Sequence, residues 1–387
     1  MENKYFMNSY SIIIIYIILT AASTQTYCQN DKKEILNSII QLTYNAKYDS
    51  AGIKIQELKS VNKNSLQINY FEAMILWRQH LVLGSAVQQN EKTKSEFEDK
   101  LNYVIREGES VLQKNEKDSI ALFYTGAAYG YLAQYYSRVN RSYFKAAGLG
   151  KKGLDLHEKL LLFHPKTYDV YYSLGLFNYL ASNVPWYLKP VLFILGRSGS
   201  QAKAYKYLNT ASIKGNFARY EAMETLAGLY TSNEQYNSAD SIYKELKILF
   251  PLNANYYNFI YLKQLFSLGA DSKFFKVGNE ALAQSKLRQK YDDTQKLHLS
   301  LIFATIALKY ERQNKVNNAI DVYSEYLDRK TDDDDMNCWF LFARGKLYES
   351  SGKISNAIND YKMVIQITKN QSFGNMIQSR LNKLIKK

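Results

Sequence analysis

The chain has 387 residues, of which 46% are apolar and 22% charged, with a formal net charge of +14. That balance excludes intrinsic disorder, which needs few apolar residues and a high charge fraction. No uninterrupted apolar run of about 20 residues occurs, which excludes a polytopic membrane protein. Four prolines against 34 tyrosines favour long helices with aromatic packing over a loop-rich or disulfide-stapled fold.

The first segment, Met1 to Cys28, reads as a secretory signal. Lys4 supplies the positive end, Ile12 to Ala22 the apolar core, and Thr26 and Cys28 the small residues before a cut at Gln29. The alternatives are an uncleaved anchor, for which the core is short, and acylation at Cys28, for which Gln25-Thr26-Tyr27 is a poor lipidation box. If Cys28 leaves with the signal, Cys338 is alone and no intramolecular disulfide is possible. Beside Trp339, it reads as a small buried hydrophobe. Two cysteines and the scattered His80, His157, His164 and His298 argue against a zinc site, and no cofactor is implied.

A repeat follows. Counting Tyr220 as position 1, Met223 falls at 4, Leu226 at 7, Ala227 at 8, Tyr230 at 11, Ala239 at 20, Tyr243 at 24 and Pro251 at 32. Small residues at 8 and 20 let two helices approach closely. Large ones at 4, 11 and 24 fill the groove between neighbours, and proline ends the second helix. The same frame fits from Ser300 (Phe303, Ile306, Ala307, Tyr310, Ala319, Tyr323) and from Cys338 (Leu341, Gly345, Tyr348, Ala357, Tyr361). A weaker copy places Ala51, Ile55 and Leu58 at 20, 24 and 27. This pattern resembles the tetratricopeptide repeat. The resemblance implies an all-α, right-handed superhelical solenoid of eight to ten helix pairs, with the first helix of each pair on the concave face.

Two repeats carry insertions. From Ser119 the frame gives Leu122, Gly126 and Tyr129, and the second helix resumes at Gly153, His157 and Leu160 before Pro165. From Tyr168 it gives Tyr171, Leu174 and Gly175, and resumes at Ala204, Leu208 and Ala211. The expected organisation is a signal over 1–28 and degenerate helical repeats over 29–118. A central basic region follows over 119–251, with insertions at about 138–152 and 183–199, and then a C-terminal repeat region over 252–387. Leu174-Gly175-Leu176-Phe177, the run Val184 to Gly199 and Tyr207-Leu208-Asn209-Thr210-Ala211 are similar to the inclusion-body-clearance and tetratricopeptide-39 family. That family has a proline- and glycine-containing apolar hairpin in the same place. Its members lack a secretion signal and differ after the glycine, so no role is carried over.

Charge is concentrated. Ser119 to Tyr220 holds 13 basic residues, three acids (Asp155, Glu158, Asp169) and 14 tyrosines. Val170 to Tyr220 holds no acid at all. Such a field attracts anions within about 10 Å. Basic residues interleaved with aromatics suit nucleic acid, but the export signal argues against that partner and toward an anionic lipid, a glycan or an acidic protein face. A solvated surface excess is the alternative. Within 183–199, eight sizeable apolar side chains (Val184 to Leu195) would forgo roughly 10–20 kcal/mol if exposed. The segment therefore folds back into the solenoid groove or enters a membrane interface or partner.

Chemical motifs are weak. Gly148-Leu149-Gly150-Lys151-Lys152-Gly153 matches the dinucleotide fingerprint but follows no strand pattern. The run Asp332 to Asp335 lacks calcium-loop alternation and reads as a solvated linker. His157-Glu158 lacks the second histidine of a zinc protease. The expectation is a non-enzymatic exported scaffold for a protein partner, in the periplasm or at the outer membrane. Its candidate surface is Tyr172, Tyr179, Trp186, Lys189, Arg197, Lys203 and Lys206. The alternative is a peripheral protein that binds anionic lipid or glycan through 168–220.

Overall fold

A computed structural model describes residues 32–61, 65–84, 91–184, 198–286, 290–329 and 331–386. The signal segment, Cys28, and the stretch 185–197 with Trp186, Lys189 and Arg197 lie outside the described residues. The chain is all-α, as the repeat pattern predicts, and divides into two compact units, Met1–Leu226 and Ala227–Lys387.

In unit 1, α1 covers 32–44. It is followed by α2 (Tyr48–Val61), α3 (Ser65–Leu83), α4 (Glu91–Lys114), α5 (Ser119–Arg138), α6 (Tyr143–Phe163), α7 (Val170–Ser182), α8 (Gln201–Lys214) and the start of α9 (Arg219–Ser232). From α2 to α8 each helix packs on the next, and α5 also touches α7. The weak first repeat is real: Ala51, Ile55 and Leu58 are all buried.

The expected insertion at about 138–152 is largely helical. The 138–152 segment lengthens the flanking helices, so the second helix starts at Tyr143 rather than Gly153 and only 139–142 form the turn. The physical reason is composition. Tyr143 to Gly153 contains no proline, and its alanines, lysines and leucine are good helix formers. The dinucleotide-like glycines therefore sit mid-helix, without the strand such a site needs.

Gly126 and Gly153 set how closely α5 and α6 pack. A Cβ on Gly126 would lie 2.3 Å from the His157 ring, and one on Gly153 would lie 2.7 Å from the Gly126 carbonyl oxygen. Side chains there would force the helices apart.

Unit 2 contains the rest of α9, α10 (Tyr236–Leu249), a short turn of 3-10 helix at Pro251–Asn253, α11 (Ala254–Leu268) and α12 (Asp271–Lys286). It continues with α13 (Asp293–Arg312), α14 (Val316–Leu327), α15 (Asp334–Ser350), α16 (Ile354–Ile367) and α17 (Gln371–Ile385). The repeat frame repeats at atomic detail. Glu234, Asn314 and Gly352, each at position 15, have φ of 58°, 57° and 77°. The next residue closes the turn onto the carbonyl of position 11: Gln235 on Tyr230, Lys315 on Tyr310 and Lys353 on Tyr348, at 2.8–2.9 Å. This left-handed closure satisfies carbonyls that a helix end would leave bare. Tyr323 and Tyr361, at position 24, donate to Glu311 and Glu349, at position 12, fastening second helix to first. Cys338 is 4% exposed beside Leu341, Tyr361 and Val364, and burial raises its thiol pKa. The acidic run does more than solvate a linker: Asp333 caps α15 through the Met336 N–H at 3.0 Å, and Asp332 and Asp334 pair with Lys296 and Lys369.

Candidate functional site: an apolar cleft in unit 1

Two rows of small residues face each other in unit 1. On α5 they are Gly126, Ala127, Gly130, Ala133 and Ser137, and on α6 they are Ala146, Ala147, Gly150 and Gly153. Both rows follow the spacing that keeps residues on one helical face. They form the floor of a cleft of about 230 Å³. The opposite wall is α7, which contributes Tyr172, Ser173, Leu176, Phe177, Leu180 and Ala181. From Phe123 to Ser137 the floor is about 21 Å long at the helical rise. Among the described residues nothing lies within 4 Å of where a Cβ on Gly130 would stand.

The two ends differ. At one end Asp169 and Ala218 join the lining, with Glu221 further along α9. Asp169 Oδ1 accepts the backbone N–H groups of Asn216 and Ala218, each at 2.8 Å, and so holds the start of α9 against α7. Burial raises its pKa, although those N–H groups pull it back. Tyr131 donates to Glu221 Oε1 at 2.6 Å and is itself hydrogen-bonded to Tyr70. Burial pushes the Glu221 carboxyl up to about 7, with Glu224 adding to the rise; the Tyr131 hydroxyl and the Arg78 and Arg138 guanidiniums oppose it. Burial likewise raises the pKa values of Tyr70, Tyr131 and Tyr172.

Beneath this end lies an ion pair. Arg78, 3% exposed, holds Glu224 through two bonds of 2.5 and 2.6 Å and lies 4.3 Å over the Tyr44 ring.

His157, 1% exposed, also lines the cleft, and its Nε2–H donates to the Phe123 carbonyl at 3.0 Å. Burial lowers its pKa to about 4, so the ring is neutral at physiological pH. Its Nδ1 has no hydrogen-bond partner among the described residues.

The other end is open and basic. Tyr143 (47% exposed) and Leu180 (43%) border it, and Phe144 beside them is 74% exposed. Arg141 and Lys145 have no carboxylate partner among the described residues, Lys145 lies 3.6 Å over the Tyr136 ring, and Arg138 acts on the Glu221 carboxyl. Lys151 lines the cleft and pairs with Asp155 at 2.7 Å.

The structure divides the surface expected from sequence. Tyr172 lines the cleft. Tyr179 sits half-buried on α7 outside the lining, and Lys203 and Lys206 are exposed on α8, also outside it. Sequence reasoning missed Glu221, Asp169 and the small-residue floor. The signal was present in the matched spacing 126, 130, 133, 137 against 146, 150, 153.

Among the described residues no helix is long and apolar enough to cross a membrane, and no three His, Cys, Asp or Glu side chains gather as metal ligands.

No protein-family model and no curated protein matches the chain. Solved helical-repeat structures resemble it at low identity. Yeast Tom70 is 14% identical with a TM-score of 0.32, over 91% of this chain and 81% of its own. A tetratricopeptide repeat protein from Parabacteroides merdae is 15% identical with a TM-score of 0.33, over 80% and 98%. A human IFIT1 dimer with m7Gppp-AAAA is 12% identical with a TM-score of 0.38, over 92% and 86%. At these values the likeness bears on neither partner nor activity.

Proposed function

We propose that this protein is a non-enzymatic helical-repeat scaffold that works after export, in the periplasm or at the outer membrane. Its recognition site is the apolar cleft of unit 1. A protein partner docks on the exposed faces around the cleft, and the cleft itself takes an apolar chain. The observation that supports this reading is the pair of small-residue rows on α5 and α6, which leave an apolar trough where helices of ordinary composition would close. Several polar side chains there are engaged in structural ties, such as Tyr131 on Glu221 and Asp169 on the start of α9.

A plugging substitution tests it. Gly130→Phe projects a ring into the trough, whereas Gly148→Phe adds the same ring on α6 at a position with equal room outside the lining. With the neutral dye Nile red, Gly130→Phe should weaken saturable binding by roughly tenfold or more, about 1.4 kcal/mol or above. Gly148→Phe should bind as the parent does. Equal binding by both variants would remove the cleft from the account. Export is tested separately: the mature protein recovered outside the cytoplasm should begin at Gln29, and retention of Met1 on cytoplasmic protein would refute it.

A further inference from the structure

We propose that the ligand of the unit 1 cleft is a single-chain anionic amphiphile, its acyl chain lying along α5 and its head group at the basic open end formed by Arg138, Arg141 and Lys145. This rests on the reading of the cleft as the recognition site.

Three observations select that chemistry. First, an extended peptide carries an N–H and a C=O at nearly every residue, and each needs a partner when it leaves water. The trough offers few. Its floor is helical backbone already bonded within α5 and α6, fifteen of its 27 described lining residues are glycine, alanine, leucine or phenylalanine, and Tyr70, Tyr131, Lys151, Asp169 and Glu221 are engaged with other protein groups. An acyl chain makes no such demand, and a linear one suits a trough about 21 Å long and narrow.

Second, charge fixes the direction. No acid occurs between Ser119 and Leu154, so the open end presents cations without carboxylates on its own helices. The opposite end holds Asp169, while Glu221, bonded to Tyr131 and within the field of Arg138, lies between the two. An anionic head placed at the Asp169 end would face that carboxyl and none of the cations of the open end. Third, Tyr143, Phe144 and Leu180 form an exposed apolar rim beside the cations. That arrangement suits the boundary between a chain and its head group.

The test uses the full mature chain and the fluorescent fatty acid cis-parinaric acid, displaced by competitors of one chain length: laurate, dodecanol and dodecylamine, and by an uncharged apolar hexapeptide. Laurate should displace the probe at least roughly tenfold better than dodecylamine or the peptide. Arg138→Glu/Arg141→Glu/Lys145→Glu, all at exposed positions, should weaken laurate by tenfold or more and leave dodecanol within about twofold. Preference for dodecylamine, preference for the peptide, or indifference of laurate to the charge reversal would overturn the proposal. Gly130→Phe separates the two levels of failure. If it abolishes dodecanol binding while laurate shows no advantage, the cleft reading stands and only the anionic head is wrong. If it changes nothing, the cleft itself is not the site.

Discussion

Replacing Arg78 by methionine should cost unit 1 about 3–5 kcal/mol. Arg78 is almost wholly enclosed, and its guanidinium is matched to both oxygens of Glu224 across 146 residues of sequence. Methionine keeps much of the volume over Tyr44 but leaves Glu224 with an uncompensated charge in a half-buried site. The penalty therefore comes chiefly from the carboxylate left behind. Arg78→Met/Glu224→Gln should accordingly recover most of the loss, since a buried ion pair removed as a whole is close to neutral. Urea unfolding in a Trp186→Phe/Trp339→Phe background, followed by the fluorescence of Trp77 in the ring stack with His80 and Phe97, reads the transition of this unit. A loss below about 1 kcal/mol, the range of an exposed pair, would show that Arg78 does not hold Glu224 as described.

The second large effect is a pH dependence. The folded protein raises the Glu221 carboxyl from an ordinary 4.5 to about 7. Between those values the folded chain keeps a proton that the unfolded chain has lost. The associated stability is therefore complete below about pH 4.5 and is lost as pH rises through 7. The shift corresponds to at most about 3–4 kcal/mol. Glu221→Gln keeps a hydrogen-bonding partner for Tyr131 and removes the titration. Because the neutral buried His157 adds stability in both proteins as pH rises toward 6.5, the readout is their difference: from pH 5 to pH 8 the parent should lose stability relative to Glu221→Gln, which is the more stable at pH 8. Parallel curves would mean that Glu221 is solvated and ordinary.

The repeats near Tyr220, Ser300 and Cys338 were legible in sequence because each position carries a local steric demand. Ala227, Ala239, Ala307 and Ala357 are small where two helices touch, and Tyr243, Tyr323 and Tyr361 are large where neighbours leave a gap. Glu234 and Asn314 were not legible as turn residues, since only Gly352 among the three belongs to the type that adopts positive φ without strain. The site was harder to see. Gly150 and Gly153 drew notice only as part of a dinucleotide-like string, whereas their role is the space they leave opposite Ala133 and Gly126. That role depends on two helices meeting, and a single helix pattern does not contain it. Glu221 was hidden for the same reason. It reads as an ordinary surface glutamate beside Arg219 until Tyr131, 90 residues earlier, is placed against it. Lys203 and Lys206 belong to the basic field by composition, but they are exposed on α8, a helix that contributes no residue to the cleft lining.

The central claim is that unit 1 holds an apolar chain between α5, α6 and α7. Photolabelling with a fatty alcohol bearing a diazirine, followed by mass-spectrometric mapping, tests it without regard to head-group charge. The account predicts adducts within 123–137, 143–157 and 170–184 that disappear in Gly130→Phe and persist in Gly148→Phe. Adducts concentrated in 227–387, or adducts in unit 1 indifferent to Gly130→Phe, would contradict it.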